Sequence, residues 1–275
     1  MQKVIYHGKC SDGFTGAWVL KQAYPDAEFY EGIYQEPPPD VTDRDVVLVD
    51  FSYKREIIEK MLESCKSLLI LDHHVSAEAD LKDLNHLKLK MVFNMKLSGA
   101  GVAWQYYFPN KRVPVLVQYI QDRDLWANKL PQTKEVAAYI FSLEQSFDLW
   151  DKMAQIESFE DGKFQNIVEQ GVTLVRKQDK DVKQLVELMQ RSMNIGGHEV
   201  PVANIPHTMA SEAGQLMAKG NKFAANYWDT ADGRIFSLRS EPGGMDVSII
   251  AANYGGGGHK HAAGFRMPLG WEGEV

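Results

Sequence analysis

The sequence predicts an α/β protein with an N-terminal domain over residues 1-150 on a mostly parallel sheet, a helical connector over 151-195 and a smaller C-terminal α/β domain over 196-275. Three observations predict it. Short apolar or β-branched runs alternate with helical stretches through the first half, which is the mark of βαβ units. A long charged segment with an apolar stripe follows, and strand-like runs resume beyond Gly196-Gly197. A chain of 275 residues is long enough to bury two cores.

Lys3 to Tyr6 reads as the first strand and Thr15 to Tyr24 as the helix after it, with Glu28 to Tyr34 the next extended run. Val46 to Asp50 is a strand, Arg55 to Cys65 a helix, and Leu68 to Leu71 an apolar run of the kind a buried strand shows. Pro37-Pro38-Pro39-Asp40 stops any helix and belongs on a surface loop. Ser98 precedes a helix over Val102 to Phe108 as its cap, at an N-terminus that is also able to receive an anion. Val115 to Ile120 is an apolar helix closed by Asp122-Arg123-Asp124-Leu125-Trp126.

From Phe159 to Met193 the pattern is helical, with Ile167, Val168, Val172, Leu174, Val175, Val182, Leu185, Val186 and Leu188 as its apolar stripe. The second domain then offers a strand at Val200 to Asn204, a capped helix near Ser211 to Ala218, and strands at Phe223 to Trp228 and Arg234 to Arg239. No repeat or low-complexity segment interrupts these elements.

Thirty Lys and Arg stand against 37 Asp and Glu, a formal charge of -7, which argues against a long groove coating nucleic-acid phosphates. A short anion held by one or two arginines and metal ions remains compatible. The two cysteines form no disulfide framework and the start runs directly into a strand, so a cytoplasmic location is expected. The apolar runs fall well short of the roughly 20 residues that span a bilayer.

Chemistry-bearing residues collect at the ends of strands and helices, where open α/β sheets place their sites. His7 and Asp12 follow the first strand beside a glycine that permits a tight turn. Asp50 ends the next, Asp72-His73-His74 leaves the third, and Asp124 closes a helix. Taken singly, each is more often a cap, a surface charge or a satisfied histidine. Together they form a mixed imidazole and carboxylate set suited to Mn²⁺ or a similar ion, and a shared carboxylate suits a dinuclear hydrolase. Downstream, Gly255, Gly256, Gly257 and Gly258 form a loop whose backbone could approach a phosphate, followed by His259, with a tight strand-to-strand turn as the alternative. Arg239 lies on an alternating strand, facing either an anion or water. Trp126, Phe223, Tyr227 and Trp228 offer rings for base stacking, or core.

These motifs, in this order, resemble the DHH phosphoesterases with a C-terminal DHHA1 domain, among them RecJ-type exonucleases, oligoribonucleases (nanoRNases) and cyclic-dinucleotide phosphodiesterases. The resemblance covers nearly the whole chain and rests on His7 to Gly13, Asp50, Asp72-His73-His74, Asp124 with Leu125-Trp126, and Tyr254 to Phe265. The Asp-x-Trp form and the four glycines look most like the oligoribonuclease B-type group. The resemblance implies that His7, Asp12, Asp50, His73 and Asp124 hold two divalent ions, most simply Mn²⁺, with Asp50 bridging. Asp72 would orient a ligating His, His74 would face the substrate phosphate, and His259, Arg239 and the glycine loop, with Ser98, would bind substrate. One departure stands out: the family's first motif usually carries two aspartates, and the earlier falls at Cys10, either a thiolate ligand favouring softer ions or a passive replacement.

The function this implies is a metal-dependent phosphodiesterase converting short oligonucleotides, such as linear products of cyclic dinucleotides, to mononucleotides by attack of a metal-bridging hydroxide. The alternatives are an exopolyphosphatase or pyrophosphatase, a RecJ-like exonuclease acting on long single strands, and a non-enzymatic nucleotide-binding module. The expected partner is a dinucleotide or short oligonucleotide, with no long nucleic acid and no membrane, and a homodimer is compatible with this reading. A small C-terminal domain on a helical connector is able to close over the metals, which favours short substrates.

Overall fold

The computed structural model describes residues 1-34, 36-156, 158 and 162-274, and it divides into two compact units, Met1–Val175 and Arg176–Val275. In the first unit five parallel strands stand in the order β2-β1-β3-β4-β5. These are β1 (Gln2–His7), β2 (Glu28–Gly32), β3 (Asp45–Val49), β4 (Ser67–Asp72) and β5 (Leu89–Phe93). The chain steps outward from β1 to β2 and then crosses to the far side of β1 for β3, so the order reverses between β1 and β3. That reversal opens a crevice at the carboxyl ends of those two strands.

Helices α1 (Ser11–Ala23), α2 (Arg55–Ser64), α3 (Val75–Leu81), α4 (Gly99–Tyr107), α5 (Val115–Asp124), α6 (Thr133–Phe141) and α7 (Phe147–Ala154) complete the unit with the first part of α8 (Gly162–Met189). One core holds Val4, Trp18, Val47, Leu71, Trp104, Tyr119 and Trp150; another holds Ile5, Leu48, Phe51, Ile58 and Ile70. Neighbouring residues of β1 and β3 thus fall in different cores, as expected of a parallel sheet covered on both faces. Strand β5 and helices α3, α6 and α7 are not among the elements expected from sequence, because their segments are short or weakly patterned.

In α8 the buried stripe is Phe164, Ile167, Val168, Val175, Val182 and Val186, a true 3.6-residue period. Val172, Leu174 and Leu188, expected on that stripe, are exposed because they lie off it. Phe159 lies outside the described residues. Gly171 sits where a Cβ would be 2.1 Å from the Glu135 carbonyl oxygen, so its missing side chain lets α8 approach α6 closely. The helix ends at Met189 rather than running to Met193: Met193 is buried in a strand not expected from sequence, β6 (Arg191–Ile195).

The second unit is a six-stranded mixed sheet of order β10-β11-β9-β8-β7-β6. It comprises β6, β7 (His198–Asn204), β8 (Ala224–Thr230), β9 (Gly233–Arg239), β10 (Gly257–His259) and β11 (Ala262–Met267), with α9 (Ala210–Ala218) and α10 (Val247–Asn253). Only the β7 to β8 pairing is parallel. Helix α9 begins at Ala210 without a side-chain cap, correcting the capped start expected at Ser211, whose hydroxyl is bonded to Arg239 instead. Phe223 and Tyr227 belong to the core of this sheet, and Tyr227 lies beneath the Arg234 guanidinium at 4.2 Å, so neither ring is offered for stacking. Among the described residues no helix is long and apolar enough to cross a membrane.

Candidate metal centre

At the reversal between β1 and β3, the strand ends and the first turn of α1 deliver their polar side chains into one partly buried cluster. His7 ends β1, and Asp50 follows β3 with its backbone in the left-handed region at φ 54°, a strained conformation of the kind that persists where the surroundings enforce it. Asp50 is 1% exposed. Its two oxygens face different partners. Oδ2 lies 3.3 Å from His7 Nδ1 and 3.5 Å from Cys10 Sγ, whereas Oδ1 lies 3.1 Å from His73 Nε2. His73 Nε2 is in turn 3.9 Å from Asp12 Oδ2 and 3.6 Å from Asp124 Oδ2.

Two donor triads result, His7 with Cys10 and Asp50, and Asp12 with His73 and Asp124; within each, the donor atoms lie within 4.8 Å of one another. This donor set fits divalent cations. Buried Asp12 and Asp50 crowd together with half-buried Asp124, and the His7 Nδ1 atom is buried beside Asp50 Oδ2 without hydrogen-bond alignment. The electrostatics agree. Burial, followed by Asp50 and Asp124, pushes the Asp12 carboxyl well above its ordinary range, and burial also raises Asp124. Asp50 moves the other way: burial opposes its charge, but the close imidazoles of His7 and His73 hold it well below the usual range. A dication would relieve this repulsion among the three carboxylates.

The third motif divides its labour. Asp72 Oδ1 accepts the backbone N–H groups of His73 at 2.7 Å and His74 at 3.3 Å, and pairs with His74 Nδ1 at 2.7 Å. Its side chain therefore orients the His74 ring. Burial alone would keep His74 neutral, but Asp72 outweighs it and pushes the pKa up to about 9.

A role that sequence reasoning missed belongs to Gly99. A Cβ there would lie 2.3 Å from Asp50 Cβ, so the first turn of α4 reaches the cluster only because residue 99 has no side chain. The amides of Gly99 and Ala100 donate to Asp12 at 2.6 and 3.2 Å. Ser98 is wholly buried and caps α4 by accepting from Gly101 N. The anion at this helix N-terminus is thus the chain's own Asp12, which corrects the placing of Ser98 among substrate contacts. Close approach also explains Gly13: it lies inside α1, where a Cβ would be 2.3 Å from the His7 carbonyl oxygen. The left-handed turn position expected of a glycine falls on Lys9, at φ 56°.

Of the two aspartates closing α5, Asp122 is turned away from the cluster. It accepts Lys129 N and Leu130 N at 3.0 Å each, and the Thr133 hydroxyl, tying down the loop beyond the helix. Trp126 is half-buried at φ 51°, with the Arg123 guanidinium over its ring at 3.9 Å. Tyr34, also unforeseen, sets its ring edge-on to His7 at 5.2 Å.

In the second unit the glycine run is corrected in part. Gly255 takes φ 76° just past α10, its N–H donates to Ala252 O at 3.0 Å, and Gly256 N donates to Ala251 O at 2.9 Å. This is a Schellman cap, and it commits two of the four amides that were expected to cradle phosphate. Gly257, Gly258 and His259 are not loop but strand β10, paired with β11, and a Cβ on Gly258 would be 2.6 Å from Ala262 O. Arg239, half-buried on β9, donates to Ser237 Oγ at 3.0 Å, Leu238 O at 2.8 Å and Ser211 Oγ at 2.8 Å. Its head is positioned rather than merely solvated.

No protein-family model matches the chain. The uncharacterized protein R106 of Acanthamoeba polyphaga mimivirus is 30% identical over 292 aligned residues, covering 95% of this chain and 66% of that protein. The chain therefore spans just under two thirds of that relative's length. Among solved structures, the DHH domain of a member of the s1p family of ribosomal proteins aligns over 97% of this chain and 82% of its own, at 14% identity and a TM-score of 0.59. The chain has the DHH-domain fold. Looser likenesses, each with a TM-score of 0.49, join it to exonuclease RecJ bound to manganese (15% identity, 97% of this chain, 85% of that one) and to the pGpG-specific phosphodiesterase PggH from Vibrio cholerae (14%, 98% and 93%).

Proposed function

We propose that the protein is a divalent-metal-dependent phosphodiesterase that hydrolyses short oligonucleotides, linear products of cyclic dinucleotides among them, to mononucleotides. The observation that carries this reading is the position of Asp50, whose two oxygens face two separate donor triads at the sheet's reversal point. His7, Cys10 and Asp50 would hold one ion, and Asp12, His73 and Asp124, with the second Asp50 oxygen, another. Mn²⁺ suits the imidazole and carboxylate part of this set. Such ions, when bound, supply a water of lowered pKa and stabilise charge on a phosphoryl group.

The chain's own contribution is orientation and proton handling. Strand ends and the α4 amides hold the carboxylates in place before any substrate arrives, so little reorganisation accompanies reaction. With Nδ1 of His74 taken by Asp72, chemistry at that ring runs through Nε2, which would donate to a phosphoryl oxygen or to the departing alkoxide. In the second unit Arg239, held by Ser211 and Ser237, and His259 would neutralise the substrate phosphate. A cytoplasmic location belongs to the same reading, since both cysteines are free thiols.

The test compares a dinucleotide, inorganic polyphosphate and a longer single strand at fixed metal and salt. The dinucleotide should show the highest kcat/KM, because a chain of net charge -7 disfavours a long polyanion outside its focused site. Equal values, or processive degradation of the longer strand, would refute the short-oligonucleotide assignment. Preference for polyphosphate would move the activity to phosphoanhydrides.

A further inference from the structure

The two donor triads are chemically unlike, and the difference comes from Cys10. One triad is an imidazole, a thiol and a carboxylate (His7, Cys10, Asp50), and the other an imidazole with two carboxylates (Asp12, His73, Asp124). Cys10 stands at the N-cap of α1, with φ -116° and ψ 132°. Side chains chosen for that position are oxygen acceptors that bond the helix's first amides. Cys10 makes no such bond, and its sulfur is directed at Asp50 Oδ2, 3.5 Å away.

The surroundings fix that direction. The Cys10 carbonyl accepts Phe14 N at 3.0 Å and Gln145 Nε2 at 3.2 Å, so its backbone is held from two sides. His7 supplies a second, independent pointer. Its Nδ1 is buried, lies 3.3 Å from the same Asp50 oxygen and lacks hydrogen-bond alignment with it. Sulfur, nitrogen and oxygen thus meet around one space, whereas the neighbouring space is bounded by nitrogen and oxygen alone.

We infer that the protein holds a mixed-metal pair, with a thiophilic ion such as Zn²⁺, Fe²⁺ or Co²⁺ bound by His7, Cys10 and Asp50, and a harder ion such as Mn²⁺ bound by Asp12, His73 and Asp124. This rests on the metal-centre part of the proposed function and not on its substrate. Thiolate sulfur selects the softer borderline ions, and carboxylate oxygen suits Mn²⁺. On binding, Cys10 releases its thiol proton to solvent and the sulfur lone pair forms the bond to the metal, with no change of oxidation state.

The readout is spectroscopic and independent of turnover. Co²⁺ is titrated anaerobically into the metal-free chain while near-ultraviolet absorption and bound metal are measured. Two ions should bind per chain, with a sulfur-to-cobalt charge-transfer band whose intensity corresponds to one of them. The band should vanish in Cys10→Ser and Cys10→Asp, with Cys10→Asp still taking two ions, and persist in Cys65→Ser, because Cys65 is buried in a separate apolar core. Dialysis against Zn²⁺ and Mn²⁺, with Mn²⁺ in an excess large enough to offset the general preference of nitrogen and oxygen ligands for Zn²⁺, should leave one of each on the wild type.

Two bound Co²⁺ without a charge-transfer band would overturn the inference while leaving the metal centre intact. So would two equivalents of one metal after the mixed dialysis. Absence of any bound ion would remove both the inference and the metal-dependent reading beneath it. The wild-type spectrum decides the question even if a Cys10 variant fails to fold.

Discussion

Replacing Gly99 by alanine should damage the centre although Gly99 lies outside every motif that marks it. The added methyl would stand 2.3 Å from Asp50 Cβ, 2.7 Å from its Cα and 2.8 Å from its Cγ. Carbon atoms rest about 3.5–4.0 Å apart, so either α4 or Asp50 must retreat by more than about 1 Å. Neither can move alone. The Gly99 and Ala100 amides hold Asp12 at 2.6 and 3.2 Å, and Asp50 is already in the left-handed region. The displacement therefore reaches both triads. Overpacking of this kind costs about 1–3 kcal/mol, and a shift of about 1 Å in positioned groups costs turnover on the order of 10²-fold. Calorimetric titration with Mn²⁺, thermal unfolding and kcat/KM on a dinucleotide measure the three effects, with Gly162→Ala as a control at a site where a Cβ meets nothing within 4 Å. Wild-type metal affinity and turnover in Gly99→Ala would refute this reasoning.

Asp50→Ala removes the carboxylate that faces both triads and should abolish metal-dependent turnover with loss of bound metal; full metal content would show that Asp50 does not bridge. Arg239→Ala should lower kcat/KM by about 10²-fold while both ions stay bound, and metal loss would place Arg239 in a different role. Gly255→Ala should cost about 1–2 kcal/mol through its left-handed φ and leave KM unchanged, whereas a raised KM would return that glycine to the substrate. Asp122→Asn should destabilise the first unit by about 1–3 kcal/mol at neutral pH. Burial would raise the Asp122 carboxyl, but the Thr133 hydroxyl and the Lys129 and Leu130 amides hold it below its ordinary value. Its contribution is therefore complete above the unfolded pKa of about 3.9 and is lost as pH falls through the lower folded value. In denaturant melts the gap between wild type and variant should close in acid, and a gap that widened there would contradict the assignment.

Sequence by itself determined the alternation of strands and helices in the first unit, the second unit's resumption of strands, and the convergence of His7, Asp50 and Asp72-His73-His74 at strand ends. These follow from local periodicity and from the rule that a parallel sheet gathers its strand ends on one edge. Its errors have physical causes as well. The apolar pattern around Met193 suits a helix or a strand, and only pairing with β7 makes it β6. Four glycines in a row read as a phosphate cradle, with a tight junction as the alternative, and the bonds from Gly255 and Gly256 to α10 decide for a helix cap there.

Asp122 and Asp124 are two residues apart on one helix. Which carboxylate meets His73 and which ties down a loop depends on what the helix packs against. Likewise, the need for a bare Cα at residue 99 comes from Asp50, 49 positions earlier in the chain. Contacts between residues so far apart leave no trace in local propensity. They exist only once the sheet has brought β3 and the start of α4 together, so the tertiary structure alone decided them.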